Sequence, residues 1–194
     1  MPNGFAIPSH FVEFVTTAPS KPTLPTTGTI ATVAGTETLT NKTLTNPTIT
    51  GPTPVQVTSA TVTLDPATHS NRTTVLDRAA GIAVTLPASA GTGDRYKLHV
   101  KATFTGAATV KVANATDVMQ GTATLYQDGG DTVVGFATAA SSDTITLYTA
   151  SNTTGGIFGA IIELEDVATG FWSVRYISDA GGTPEATPFS ATVS

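Results

Sequence analysis

A five-residue repeat runs three times in succession between residues 38 and 52. Each unit is a Thr-aliphatic-Thr triplet followed by two turn residues, giving Thr38-Leu-Thr-Asn-Lys42, Thr43-Leu-Thr-Asn-Pro47 and Thr48-Ile-Thr-Gly-Pro52. β-branched threonine favours an extended backbone. Proline lacks an amide donor and restricts the residue before it, so the turn positions interrupt the chain after each triplet. The repeat therefore predicts very short strands separated by turns.

The aliphatic residues of these pentads are Leu39, Leu44 and Ile49. They form a single stripe if each turn resets the direction of the chain. Three such side chains cannot offset the cost of ordering about fifteen residues at about 1–2 kcal/mol each. We therefore predict that the stripe packs against identical stripes from sister chains around a symmetry axis. The alternative is a disordered Thr/Pro linker.

The composition excludes several classes of protein. About one residue in five is threonine, only 12% of residues are charged, and the net charge is −5, which argues against a nucleic-acid partner. The chain has no cysteine, which excludes disulfides and thiolate metal sites. No apolar run approaches the roughly 20 residues that cross a bilayer, so we expect no membrane partner either.

Three regions of the chain differ in composition. Residues 1–27 contain five prolines and are predicted to be an extended N-terminal arm. Its apolar side chains Phe5, Ile7, Phe11 and Phe14 are too few to build a core, so the arm either docks into a larger partner or folds back over its own domain. Residues 28–57 are a threonine-rich connector that contains the pentads, a short repetitive β stalk. Residues 58–194 are the predicted β domain.

Turn signals divide the β domain into strand-length segments of alternating polarity. In Tyr96-Lys-Leu-His-Val-Lys101 the apolar residues fall on one face, and Trp172, Val174 and Tyr176 share one face of the last strand. The predicted strands are residues 61–64, 72–76, 82–86, 96–104, 108–112, 119–126, 132–137, 144–148, 158–164 and 171–177. This pattern predicts an all-β fold, an antiparallel β-sandwich or a jelly-roll-like barrel of about ten strands.

Glu163 and Glu165 are the candidate pair for chemistry. Two residues apart on a strand, they share one face at about 7 Å, within the separation that inverting glycosidases use between acid and base. The competing interpretation, which we favour, is a solvated strand face opposite Ile162 and Leu164, because neighbouring like charges are ordinary on surfaces.

The remaining polar residues do not show the spacing or motifs of a catalytic or metal site. His10, His69 and His99 lack the spacing of metal ligands. Three aspartates near glycine turns could bind a calcium ion, but they lack the alternating Asp/Asn loop and closing glutamate of a calcium-binding loop; they are Asp128, Asp131 and Asp143. No serine nucleophile motif is present. We therefore expect no catalytic residue, no cofactor and no metal, and a protein that is not an enzyme.

The segment Gly35-Thr-Glu-Thr-Leu-Thr-Asn-Lys-Thr-Leu-Thr-Asn-Pro-Thr-Ile49 resembles segments of tail-fibre, head-fibre and capsid-decoration proteins of tailed bacteriophages. Residues 72–96, 112–121 and 162–174 look like the β domain that commonly follows it, so the resemblance covers roughly residues 35–194. It implies a homotrimeric, non-enzymatic virion protein assembled in the host cytoplasm, and it makes Leu39, Leu44 and Ile49 trimer-axis residues.

The short chain departs from the long shafts of most tail fibres and favours a capsid-decoration or head-fibre protein. Its arm would then anchor it to the shell, with the major capsid protein or another virion protein as partner, through Phe5, Ile7, Phe11 and Phe14. The alternative is a receptor-binding tail-fibre or fibre-tip protein that recognises host surface glycans. That function predicts an exposed aromatic platform, drawn from Tyr126, Tyr148, Phe158 and Phe171.

Overall fold

The computed structural model describes residues 51–127, 132–182 and 184–193, and the regular structure there is almost entirely β. In chain order the elements are β1 (Val55–Val57), β2 (Thr61–Thr63), α1 (Pro66–His69), β3 (Arg72–Leu76), β4 (Ala83–Thr85), β5 (Arg95–Val100), β6 (Thr109–Lys111), β7 (Val118–Gln127), β8 (Val133–Ala137), β9 (Thr144–Thr146), β10 (Ile161–Ala168), β11 (Phe171–Ala180) and β12 (Phe189–Ser190). The predicted all-β class is confirmed. The predicted arm and residues 28–50 of the predicted connector lie outside the described residues.

The strands form two sheets. One has seven strands in the order β1-β3-β5-β10-β11-β7-β8, and the other has five in the order β12-β9-β6-β4-β2. The first six strands of the chain alternate between the two sheets, so β1, β3 and β5 are parallel neighbours in one sheet, and β2, β4 and β6 are parallel neighbours in the other.

The sheets are therefore mixed, whereas the sequence led us to expect antiparallel pairing. Five of the ten strand pairings among the described residues are parallel. The physical reason lies in the connectors. Residues 58–60 form a short polar connector that carries the chain into the other sheet. A connector of the same composition could equally close a hairpin between two paired strands. The strands on either side alternate in polarity whether the connector closes a hairpin or crosses to the other sheet, so alternation does not distinguish antiparallel from parallel pairing.

The five-stranded sheet consists of strands of two or three residues that each direct one side chain into the core. These side chains stand opposite one another across the sheet and form a ladder, made of Val62, Val84, Val110, Ile145 and Phe189. The middle three are completely buried, while Val62 at the end of the ladder is half-buried. Full burial of one such side chain stabilises the fold by about 1.5–3 kcal/mol. Strands this short depend on that packing, because they are too short to be stable alone.

Buried side chains from both sheets belong to one hydrophobic core. Its largest members are Trp172 on β11 and Tyr96 on β5, whose ring centroids lie 5.8 Å apart at an interplanar angle of 60°. Tilted aromatic pairs of this kind are favourable because the positive edge of one ring meets the negative face of the other. The longer strands thus bury the faces that the sequence assigned to the core.

Gly156 connects several parts of the fold. Its amide donates to the hydroxyl of Tyr176 at 2.7 Å, and its carbonyl accepts from the amide of Phe104 at 3.1 Å. The same hydroxyl donates to the carbonyl of Thr154 at 3.1 Å. Burial raises the pKa of Tyr176 to about 12, so the phenol keeps its proton at neutral pH. Gly156 has a φ of +73°, and an added Cβ would lie 1.7 Å from the carbonyl oxygen of Leu147.

Asp166 fixes the loop that precedes β5. Its buried carboxylate accepts hydrogen bonds from the amides of Ala90, Gly91 and Thr92 at 2.8–3.2 Å, and from the Thr92 hydroxyl at 3.0 Å. Burial opposes ionisation, but these donors outweigh it and hold the pKa of Asp166 below its ordinary value. The ionised carboxylate is therefore part of the folded structure.

We expect this carboxylate to make the fold acid-sensitive. A pKa lowered by folding contributes stability that is present above the pKa of the unfolded chain and is lost as pH falls through the lower, folded value. Asp166→Asn removes this contribution and turns an amide donor toward backbone donors, which costs about 1–3 kcal/mol at neutral pH. Urea unfolding at pH 7 and at pH 3 should show a smaller difference for the variant than for the wild type. If the stability difference between pH 7 and pH 3 is equal in the variant and the wild type, Asp166 is not a source of the acid sensitivity.

Candidate functional site

The site residues predicted from the pentads and the arm lie outside the described residues. The predicted trimer-axis residues are Leu39, Leu44 and Ile49, and the predicted shell-anchoring residues are Phe5, Ile7, Phe11 and Phe14. Both assignments stay predictions. The described residues instead provide two features on the outer face of the seven-stranded sheet, a charged cleft and an aromatic cluster.

The charged cleft lies across the middle of the seven-stranded sheet and has a volume of about 670 Å³. Its charged lining consists of four cationic and two anionic side chains: Arg72, Arg95, Lys97, Arg175, Glu163 and Glu165. Pairing register brings them together, because Glu163 on β10 stands between Lys97 on β5 and Arg175 on β11. Positive charge thus exceeds negative charge here, in a chain whose net charge is −5.

The cleft contains the pair Glu163 and Glu165. Glu165 accepts a hydrogen bond from the guanidinium of Arg95 at 3.0 Å, an ion pair that is largely open to solvent. Glu163 has a cationic neighbour on each side in the pairing register. Opposite charges thus stand on neighbouring strands, and among them Arg95 and Glu165 are in contact.

Three of the cleft's cations have no ion pair or hydrogen bond among the described residues; they are Arg72, Lys97 and Arg175. Lys97 and Arg175 lie on the solvated sheet face, where long cationic side chains cover apolar surface with their stems and keep their charged ends in water. This surface can therefore pair with anionic groups without breaking internal contacts, except at Arg95.

The aromatic cluster lies near the end of the same sheet face. Tyr126 on β7 and Phe158, in the turn before β10, line one small cleft of about 180 Å³ together with Ile177 and Asp179 on β11. The two rings are 45% and 66% exposed, which is unusual for aromatic side chains. Two of the four aromatic residues proposed from sequence thus lie together. The other two do not join them, because Tyr148 packs against the core and Phe171 begins β11 at its far end.

Buried acidic side chains of the described residues bind backbone amides and thereby hold loops. Asp143 accepts from the amides of Thr192 and Val193 at 2.8 and 3.1 Å, which attaches the C-terminal segment to β9. Asp117 accepts from the amide of Ser89 at 3.0 Å. Asp128 and Asp131, the other two aspartates near glycine turns, lie outside the described residues.

The histidines are separated in the described part of the chain. His69 is buried at the end of α1, where its Nδ1 accepts from the amide of Asp65 at 3.0 Å, and His99 is half-buried on the outer face of β5. His10 lies outside the described residues. No three His, Asp or Glu side chains within residues 51–127, 132–182 and 184–193 converge as metal ligands would. In the same residues, no helix has the length and apolar character that crossing a membrane requires.

The alternation of polarity placed Lys97 and Arg175 on polar strand faces but did not bring them together. That needs strand order, since Lys97 and Arg175 are far apart in the chain and meet only through β10. The loop-holding role of Asp166 was missed for the same reason, because its partners precede it by more than seventy residues. Comparison with protein-family models, with curated proteins and with solved structures finds no match for this chain.

Proposed function

We propose that this chain is a non-enzymatic structural protein of a bacteriophage virion, a homotrimeric capsid-decoration protein anchored to the shell by its N-terminal arm. The observation that supports a structural role is a sequence pattern that the pentads share with strands of the five-stranded sheet. Strands β2 and β9 of the five-stranded sheet are Thr-aliphatic-Thr triplets, and the pentads repeat that triplet three times. The central isoleucine of β9 is completely buried in the ladder and the central valine of β2 is half-buried, so each of these triplets contributes an aliphatic side chain to sheet packing. The resemblance of residues 35–194 to phage fibre and decoration proteins supports a virion location.

The absence of catalysis is part of the proposal. On the exposed face of the described seven-stranded sheet, Glu163 stands opposite Lys97 and Arg175, and Glu165 forms an ion pair with Arg95. The buried carboxylates of Asp117, Asp143 and Asp166 are engaged by backbone amides. These side chains have structural partners, which supports a protein that acts by binding and assembly.

The proposed anchor is the apolar part of the arm. Phe5, Ile7, Phe11 and Phe14 would enter pockets of the major capsid protein or of another virion protein, with aromatic side chains as the main contributors to affinity. Residues 1–20 should therefore be dispensable for folding and required for attachment.

Antibody labelling of intact virions tests both statements in one experiment. Full-length protein is expected over the whole head, while a variant that lacks residues 1–20 is expected to be trimeric in solution and missing from particles. Labelling confined to the tail would contradict the decoration role and favour a fibre. Full occupancy by the shortened variant would exclude the arm as the anchor.

A second candidate function is recognition of a host surface glycan. The observation in its favour is the aromatic cluster, where Tyr126 and Phe158 are exposed side by side next to the carboxylate of Asp179. The apolar face of a sugar ring packs on aromatic rings, while its hydroxyls bond to nearby polar groups.

If this surface binds glycans, Phe158→Ala should reduce binding of the full chain on a glycan array by about tenfold, which corresponds to the loss of about 1.4 kcal/mol. Val167→Ala is the matched control, because Val167 is a comparably exposed apolar residue (46%) outside the cluster. An unchanged signal in the Phe158 variant, or an equal loss in both, would exclude the aromatic cluster as the glycan-binding surface.

A further inference from the structure

The outward-facing charges of the charged cleft follow the strand register in two rows. In one row, Lys97 on β5, Glu163 on β10 and Arg175 on β11 stand side by side. In the next row, Arg95 and Glu165 occupy the corresponding positions on β5 and β10. Neighbouring strands lie about 4.8 Å apart, so the backbones of Lys97 and Arg175 lie about 10 Å apart, on either side of Glu163. A ligand that lies across these strands therefore meets a cation, a carboxylate and a second cation, in that order.

The charges of the first row have no partner among the described residues. Lys97, Glu163 and Arg175 are exposed, and none of them forms an ion pair or a side-chain hydrogen bond there. The second row differs, because Arg95 and Glu165 bind each other at 3.0 Å. A ligand can therefore contact all three charges of the first row without breaking an internal contact.

Neutral hydrogen-bonding groups lie beside these charges. The hydroxyl of Thr73 on β3 stands next to Lys97, and the hydroxyl of Ser173 on β11 stands next to Glu165. Both residues line the cleft. A hydroxyl can donate one hydrogen bond and accept others. The cleft volume of about 670 Å³ is in the range of small-molecule sites, about 300–1,000 Å³.

We infer that the charged cleft binds a saccharide that carries carboxylate groups, as in a chain of uronic acids. The carboxylates of the ligand would pair with Lys97 and Arg175, and its hydroxyls would donate to Glu163 between them. A ligand with anionic groups alone would place negative charge against Glu163, and a neutral saccharide would make no use of the two cations. The alternation of charge thus favours a ligand that has both carboxylates and hydroxyls.

This inference goes beyond the proposed decoration role and does not depend on the trimer. It also concerns a different surface from the second candidate function, since the charged cleft and the aromatic cluster share no lining residue. Either surface can therefore fail its test while the other stands.

Isothermal titration calorimetry of the full chain with a trimer of galacturonic acid tests the inference. The methyl ester of the same trimer keeps the hydroxyls and removes the charges, and should bind at least about tenfold more weakly. Lys97→Gln and Arg175→Gln should each weaken binding of the acid trimer by about tenfold. Lys111→Gln is the matched control for Lys97→Gln, because Lys111 is an exposed strand lysine outside the cleft, and should bind as the wild type does.

Glu163→Gln distinguishes a saccharide site from a general anion site. The variant loses a negative charge, so a ligand that is held by positive charge alone should bind it more tightly than the wild type. The acid trimer should instead bind it about threefold more weakly, because its hydroxyls then donate to a neutral amide oxygen rather than to a carboxylate.

Five results would overturn the inference. The wild type may show no binding of the acid trimer, or equal affinity for the methyl ester. Equal losses in Lys97→Gln and Lys111→Gln would indicate a response to net charge, and tighter binding by Glu163→Gln would indicate a general anion site. Stronger binding of a poly-glutamate peptide of similar charge would assign the cleft to an acidic peptide. A loss of binding in Phe158→Ala with none in Lys97→Gln would place the trimer at the aromatic cluster.

Discussion

Leu44→Asp is expected to convert the proposed trimer into single chains, so that the mass measured by light scattering falls from three times 19.7 kDa to 19.7 kDa. Three leucines on the proposed axis would each lose about 1.5–3 kcal/mol of burial. Three carboxylates would replace them, and two charges about 4 Å apart near a protein surface repel by about 4 kcal/mol. Both effects oppose association.

Asn46→Asp is the matched control for this variant. It places the same carboxylate in the same pentad, but in the turn rather than at the central position of a triplet. The control should remain trimeric. A trimer that survives Leu44→Asp would exclude the pentads from the axis, and dissociation of both variants would indicate a general effect of charge.

Gly156→Ala is expected to destabilise the β domain by about 3 kcal/mol or more. An L-residue in the left-handed region costs about 1–2 kcal/mol, and overpacking costs about 1–3 kcal/mol. The clash is unavoidable because the added Cβ meets the backbone carbonyl of Leu147 at 1.7 Å. Any shift that relieved it would strain the hydrogen bonds of Gly156 to Tyr176 and Phe104. Thermal unfolding should show a midpoint about 6–12 °C lower.

Gly159→Ala separates the cost of the left-handed backbone conformation from the cost of the steric clash. Gly159 also has a positive φ, +90°, but nothing lies within 4 Å of the place that an added Cβ would occupy. This variant should lose only the conformational part, about 1–2 kcal/mol. Equal losses in the two variants would mean that the close approach to Leu147 does not contribute.

Much of the strand content was predictable because polarity alternates along the chain. Leu98 and Val100 on β5, and Trp172 and Tyr176 on β11, were assigned to the core from alternation and are buried. The assignment of strands to sheets was not predictable. Alternation fixes which side chains point inward, but it does not fix the neighbour of a strand or the direction of pairing.

Short elements were missed where local signals are weak. The strands β1 and β12 have three and two residues, too few for a periodic pattern, and β1 falls within the predicted connector. The single helical turn α1 did have a signal, since Asp65 precedes Pro66 and its side chain accepts from the amide of Thr68 at 3.0 Å. The predicted strand 158–164 begins only at Ile161, because Phe158 and Gly159 form the preceding turn.

The candidate sites also contain one part that the sequence could predict and one part that depends on the fold. The carboxylates Glu163 and Glu165 were correctly placed on one solvated face, since two-residue spacing determines that much. Their cationic neighbours could not be assigned, because Lys97 and Arg175 reach them only through strand order. The aromatic cluster depends on a turn that positions Phe158 beside Tyr126, which a strand pattern does not specify.

The alternation of the first six strands between two sheets makes this part of the fold modular in length. Each coil of chain adds one strand to each sheet, and the connectors range in length from residues 58–60 to residues 86–94 without disturbing the parallel pairing. Duplication of such a coil would lengthen the stack while every existing pair keeps its register, as in other architectures built by stacking similar units. Evolution can therefore adjust the reach of such a domain by whole coils without redesigning its core.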